Sequence, residues 1–138
     1  VEVEEYFYNI FIIKFYRKRD SRHPYKFNLL TNEFNCTKIV STCIRILMDI
    51  LSRNKYASFG FLGSNTVSPN FEELRRNTKR FNIYKTAMEN LVGEETFVHF
   101  MDDSHSTYLM ANKTNLSVDD LFRRAKIMFE EIYPELEA

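Results

Sequence analysis

The 138-residue chain is predicted to fold as an α+β domain with a mainly antiparallel sheet of about five strands and three helices, in the order ββαβαββα. Three observations lead there. Apolar residues recur at helical spacing in three separate stretches, they alternate at strand spacing between those stretches, and glycine and proline are scarce, at three each. A chain this long can close one hydrophobic core without metals or disulfides, so residues 1–138 are read as a single domain.

Tyr6 to Arg17 reads as a long strand. Tyr8, Ile10 and Ile12 alternate with Phe7, Phe11, Ile13 and Phe15, so both faces are apolar. Tyr25 to Thr31 reads as its hairpin partner, joined by the basic run Arg17-Lys18-Arg19-Asp20-Ser21-Arg22-His23 ahead of Pro24. Asn35 can cap a helix over about 36–53. Its buried face would hold Ile39, Val40, Cys43, Ile44, Leu47, Ile50 and Leu51, and its outer face Lys38, Arg45, Asp49 and Arg53.

Tyr56 to Leu62 reads as a short strand ending at Gly63-Ser64-Asn65. Ser68-Pro69 carries a helix-start signal, and a second start is available at Asn77 or Thr78. Phe81, Tyr84, Met88 and Leu91 form the stripe of that helix, and Gly93 stops it. Thr96–Met101 and Ser106–Ala111 alternate as a second hairpin around Asp102-Asp103-Ser104-His105. Ser117 caps the last helix, with Leu121, Phe122, Ala125, Met128, Phe129 and Ile132 facing the core and Pro134 ending it. The helices are expected on one face of the sheet.

Composition narrows the function. No apolar run approaches the roughly 18–20 residues of a membrane-spanning helix. The acidic start Val-Glu-Val-Glu-Glu-Tyr lacks the features of a secretory signal. Cys36 and Cys43, about 10.5 Å apart along a helix, are too distant to bridge. Reduced thiols and a cytoplasmic location are therefore expected. The net charge is zero but divided: residues 1–85 hold 15 Lys/Arg against 8 Asp/Glu, and residues 86–138 hold 4 against 11. The first part favours anionic partners.

Candidate chemistry is sparse. Gly63-Ser64-Asn65-Thr66 precedes a helix, as phosphate-binding turns do, but no Walker loop is present. His99, Asp102, Asp103 and His105 have metal-ligand side chains, yet an Asp-Asp-Ser-His run is also what a solvated turn selects. No Gly-x-Ser-x-Gly or cysteine–histidine signature occurs. No metal site or cofactor is assigned on this pattern. Arg17, Lys18, Arg19, Arg22 and His23, with Arg75, Arg76, Lys79 and Arg80, form two basic clusters flanked by Tyr16, Tyr25 and Tyr84, a composition that can neutralise phosphates and stack bases.

Phe61-Leu62-Gly63-Ser64-Asn65 and Thr78-Lys79-Arg80-Phe81-Asn82-Ile83-Tyr84 resemble a family of uncharacterised small bacterial proteins with a Gly-Ser-Thr turn and an Arg-Thr-x-Leu-Tyr run. Gly63, Ser64, Arg80 and Tyr84 match its motif positions, and Tyr108-Leu109 resembles its late strand. Asn65 stands in place of the threonine, and residues 66–77 form an insertion. The resemblance implies a hairpin, helix, strand, helix and late strand over residues 6–113, and no activity.

Three functions follow. The primary reading is a non-catalytic binding or adaptor domain, with a protein partner or a second copy of itself on an uncovered apolar sheet face. The second is a nucleic-acid-binding domain using hairpin 14–26 and segment 75–85. The third is an enzyme on a phosphorylated substrate, with Arg80 clamping the anion and Asp102, Asp103 or His105 holding a metal. This last requires the 102–105 turn to lie beside Arg80.

Overall fold

The structure is a computed structural model and describes residues 2–14, 22, 36–62, 67–68, 71–72, 74, 78–115 and 117–132. The elements are β1 (Glu2–Tyr6), β2 (Ile10–Lys14), α1 (Cys36–Arg53), β3 (Ser58–Leu62), β4 (Val67–Ser68), β5 (Phe71–Glu72), α2 (Lys79–Ala87), β6 (Phe97–Asp102), β7 (Thr107–Asn112) and α3 (Val118–Ile132). Five strands form one sheet in the order β1-β2-β3-β7-β6, and β4 and β5 form a separate ribbon. The α+β class and the three α-helices agree with expectation. The sheet is mixed, not mainly antiparallel: β2 and β3 run parallel, with Ile10, Ile12 opposite Ser58, Gly60. Hairpins make only antiparallel neighbours, but a helical crossover from a hairpin to the next strand can bring the two strands side by side in parallel. Here that crossover contains α1. The order also differs from the expected one by the β4–β5 ribbon and by the position of the first hairpin.

The first hairpin is β1–β2, paired antiparallel from Glu2–Lys14 to Tyr6–Ile10 around Phe7-Tyr8-Asn9. The expected continuous strand 6–17 is thus broken. Tyr8 and Asn9 both take left-handed backbone, at φ 64° and 57°. Asparagine accepts that conformation readily and tyrosine does not. Apolar alternation continues across the turn, which hides it in the sequence. With β1 on one edge of β2 and β3 on the other, β2 has no edge left for another strand. The expected strand 25–31 lies outside the described residues.

Helices cover both faces of the sheet, not one. On the first face, Ile13, Phe59, Phe61, Phe97, Tyr108 and Met110 pack with Cys43 and Leu47 of α1 and Phe81, Tyr84 and Met88 of α2. On the second, Ile10, Ile12, Leu109 and Ala111 pack with Leu121, Ala125 and Met128 of α3. Alternation along β2, β3 and β7 sends successive side chains to opposite layers, and both layers are apolar. The hydrophobic face of α1 falls where predicted: Cys43 and Leu47 are buried, while Ile39, Ile44, Ile50 and Leu51 pack at the margin.

The start of α2 is corrected. Val67-Ser68 pairs with Phe71-Glu72 instead of opening a helix at Pro69. The helix begins at Thr78, whose Oγ1 accepts the Phe81 N–H at 3.2 Å. A π turn over Met88–Val92 widens the last turn, so Leu91 rotates out of the predicted stripe and is 66% exposed. Gly93 ends it at φ 71°, ψ −167°, a conformation open essentially to glycine alone. Ser117 caps α3 as predicted, its Oγ accepting from Asp120 N. Ile132 is exposed instead of core-facing.

One buried polar knot fixes the register at the end of β7. Asn112 is fully buried; its Nδ2 donates to the carbonyls of Lys55 and Ala57 at 2.8 and 3.0 Å. Its Oδ1 accepts from Thr114 N, and its own N–H donates to the buried Ser58 Oγ at 2.9 Å. Replacement of Asn112 by Ala strands the buried Ala57 carbonyl and removes the part-buried bonds to the Lys55 carbonyl and the Thr114 amide. Asn112→Ala is expected to cost about 2–3 kcal/mol, measured as a shift in urea midpoint at unchanged slope.

Candidate functional site

The residues with recognised chemistry sit around the β6–β7 turn. Asp102 closes it, its carboxylate accepting from Ser104 N at 3.1 Å and Ser104 Oγ at 2.6 Å, with His105 Nδ1 at 2.7 Å. Burial pushes the Asp102 carboxyl up, but the Ser104 and His105 hydrogen bonds and the His105 charge outweigh it and hold it below the usual carboxylate value. Asp103 is exposed. His99 points to the opposite layer. Its Nε2–H donates to the Gly93 carbonyl and its Nδ1 accepts from the Tyr108 hydroxyl. Both ring nitrogens are therefore committed to holding the α2 terminus against β7. Burial raises the Tyr108 hydroxyl pKa further, so it remains a donor. Among the described residues no three His, Cys, Asp or Glu side chains gather as metal ligands.

The turn does lie beside the start of α2. Ser106, buried and left-handed at φ 53°, accepts the Thr78 N–H on its Oγ at 2.9 Å. This places the turn two residues from the Arg80 backbone, the juxtaposition that the phosphate-enzyme reading requires. The Arg80 and Lys79 side chains lie outside the described residues, as do Gly63, Ser64, Arg17, Lys18, Arg19, Arg75 and Arg76. Arg22 is exposed in a turn. Tyr84 is buried, its ring 4.8 Å from Phe61, a core position and not an open stacking platform.

Two concave surfaces flank α3, and neither was legible as a unit in the sequence. On one flank an open groove of about 730 Å³ is lined by Tyr6, Phe7, Tyr8, Ile127, Met128 and Ile132, with Glu5, Arg124 and Glu131 at its margin. Phe7 is 79% exposed and Ile127 50% exposed. Arg124 spans the groove, with its guanidinium 5.9 Å from the Tyr8 ring centroid and its Nε 2.8 Å from Asp120. Asn54 Nδ2, just past α1, donates to Asn9 Oδ1 at 3.1 Å and braces the turn from below. The turn is thus held in its left-handed form from two sides.

On the other flank, a cavity of about 410 Å³ lies between the sheet and α3. Ile12, Gly60, Leu109 and Ala125 form its floor, and Phe100, Phe122 and Phe129 its walls. Phe100 and Phe122 stack at 4.4 Å with planes 10° apart. At Gly60 an added Cβ would stand 2.5 Å from Ile12 Cδ1, so the tip of Ile12 lies across β3 in the space a side chain there would take. Asp102, Asp103, His105, Lys126 and Glu130 ring the mouth.

No family model, curated protein or solved structure matches the chain. Among the described residues no helix is long and apolar enough to cross a membrane.

Two predictions arise here. Asp102 has a depressed folded pKa, so its contribution is complete above the unfolded value of about 3.9 and disappears as pH falls through the lower folded value. The advantage of the native chain over Asp102→Asn is expected to be about 1 kcal/mol at neutral pH and to shrink as pH falls below the unfolded value, in paired urea titrations. Cys43 is buried, and burial pushes its thiol up to about 11. In a Cys36→Ser background Cys43 is expected to stay unlabelled by a disulfide reagent at pH 8 until denaturant is added.

Proposed function

We propose that the protein is a non-catalytic binding domain that self-associates through the groove between the β1–β2 turn and α3. The carrying observation is Phe7, an aromatic side chain 79% exposed on a turn whose next two residues are both left-handed. Strained backbone that presents an apolar side chain to solvent is retained where something uses it. Phe7, Tyr8, Ile127 and Ile132 form one continuous apolar surface, and contiguous patches of this kind mark interaction sites.

A second copy fits this surface by charge. Glu5, Arg124 and Glu131 all line the groove, so the patch carries both signs and can complement itself across a two-fold axis. Pairing of two β1 edges is disfavoured, because three of the five strand residues are glutamates and like charges would be brought close together. The uncovered sheet face expected from sequence plays no part, since α1, α2 and α3 occupy both faces.

Light scattering on size-exclusion eluates across a wide concentration range tests this. The expected mass rises from 16.5 kDa toward twice that value. Phe7→Asp or Ile127→Asp should each weaken the dimer by about 2 kcal/mol, roughly 30-fold in Kd. Met48→Asp, at an exposed apolar site on α1, should leave it unchanged. A chain that stays at 16.5 kDa at the highest concentration rejects self-association. A dimer indifferent to Phe7→Asp and Ile127→Asp rejects this surface.

A further inference from the structure

We propose that the cavity between the sheet and α3 binds a small amphipathic amine, with its hydrocarbon body inside and its ammonium group at the mouth. The site lies on the flank of α3 opposite the Phe7 groove and does not depend on self-association.

Shape and lining define the body of the ligand. A volume of about 410 Å³ falls in the roughly 300–1,000 Å³ range of small-molecule sites. The interior is hydrocarbon: Ile12, Leu109 and Ala125 below, and the stacked Phe100–Phe122 pair and Phe129 around it. The space persists because α3 places only a small residue against it: Ala125 contributes one methyl from the middle of the helix, while Ile12 fills the position a Gly60 side chain would take. A linear or singly ringed hydrocarbon can replace water there with favourable loss of apolar surface.

Charge at the mouth selects the head group. Asp102, Asp103 and Glu130 stand against Lys126 and His105; with His105 paired to Asp102, two carboxylates, Asp103 and Glu130, face one ammonium. Asp102 is occupied by Ser104 and His105. Asp103 and Glu130 make no ion pair among the described residues and are open to an incoming cation. The aromatic walls add to the preference, because a cation near a ring face is attracted by its quadrupole. A carboxylate on the same hydrocarbon would meet Lys126 but also Asp103 and Glu130.

The test uses the full chain and three probes of equal length: hexylamine, hexanoate and 1-hexanol. Each is titrated into ¹⁵N-labelled protein while amide shifts are followed. Hexylamine is expected to move the amides of Gly60, Leu109 and Ala125 and to bind about five-fold more tightly than hexanoate, the effect of one charge pair at about 4 Å in water-like surroundings. The exposed-rim variant Asp103→Asn/Glu130→Gln should erase that preference and leave hexanol binding unchanged. Ala125→Leu, which fills the floor, should abolish binding of all three. If Ala125→Leu does not fold, the rim variant decides alone. Hexanoate binding as tightly as hexylamine overturns the choice of head group. Absence of shifts at the cavity amides with every probe overturns the site.

Discussion

Strand β3 is the constraint on which the rest of this molecule is built. It accepts β2 in parallel on one edge and β7 antiparallel on the other, and so joins the two hairpins into one sheet. Ala57 through Phe61 are essentially inaccessible to water. A strand enclosed at both edges and on both faces needs a helical layer above and below. α1 and α2 supply one layer with α3 as the other. The polar cost of this burial is met locally: Asn112 and Ser58 satisfy the carbonyls and amides at the strand's entrance, where the ladder has not yet begun.

The two layers are chemically unequal. The α1–α2 layer is filled by large rings, with Phe59 meeting Phe97 edge-on at 5.9 Å and Phe61 meeting Tyr84 at 4.8 Å. It ends in the His99–Tyr108–Gly93 chain of hydrogen bonds, which spends a histidine on architecture. The α3 layer has aliphatic and small residues at its buried centre, among them Ile10, Ile12, Ala111 and Ala125, with Phe100, Phe122 and Phe129 half-buried around it. One helix cannot cover a five-stranded sheet alone. The cavity lies between the sheet and one flank of α3, and the Phe7 groove lies between the β1–β2 turn and the other. Both proposed binding surfaces therefore use α3 as a wall.

Much of this architecture was legible in the sequence because it is written in short-range pattern. The spacing of Cys43 and Leu47, the Ser117 cap and the stop at Gly93 each depend on residues within a few positions. What escaped was decided at longer range. Apolar alternation from Tyr6 to Phe15 concealed the turn at Phe7-Tyr8-Asn9, since left-handed backbone at a tyrosine has no signature in residue type. Ser68-Pro69 carries a valid helix start, yet tertiary context draws Ser68 into a ribbon with Phe71. His99 was a candidate ligand by composition, and only the arrival of Gly93 and Tyr108 at its two nitrogens shows it to be committed.

By itself the sequence determined that this chain has three helices alternating with strands and two apolar periodicities. Those follow from local preference and from burial repeating every two or 3.6 residues. Tertiary structure alone decided the parallel β2–β3 contact, the covering of both faces and the surfaces beside α3. Each depends on which elements meet, and residues such as Phe7 and Ile127, or Gly60 and Ala125, share no pattern until the fold has placed them together.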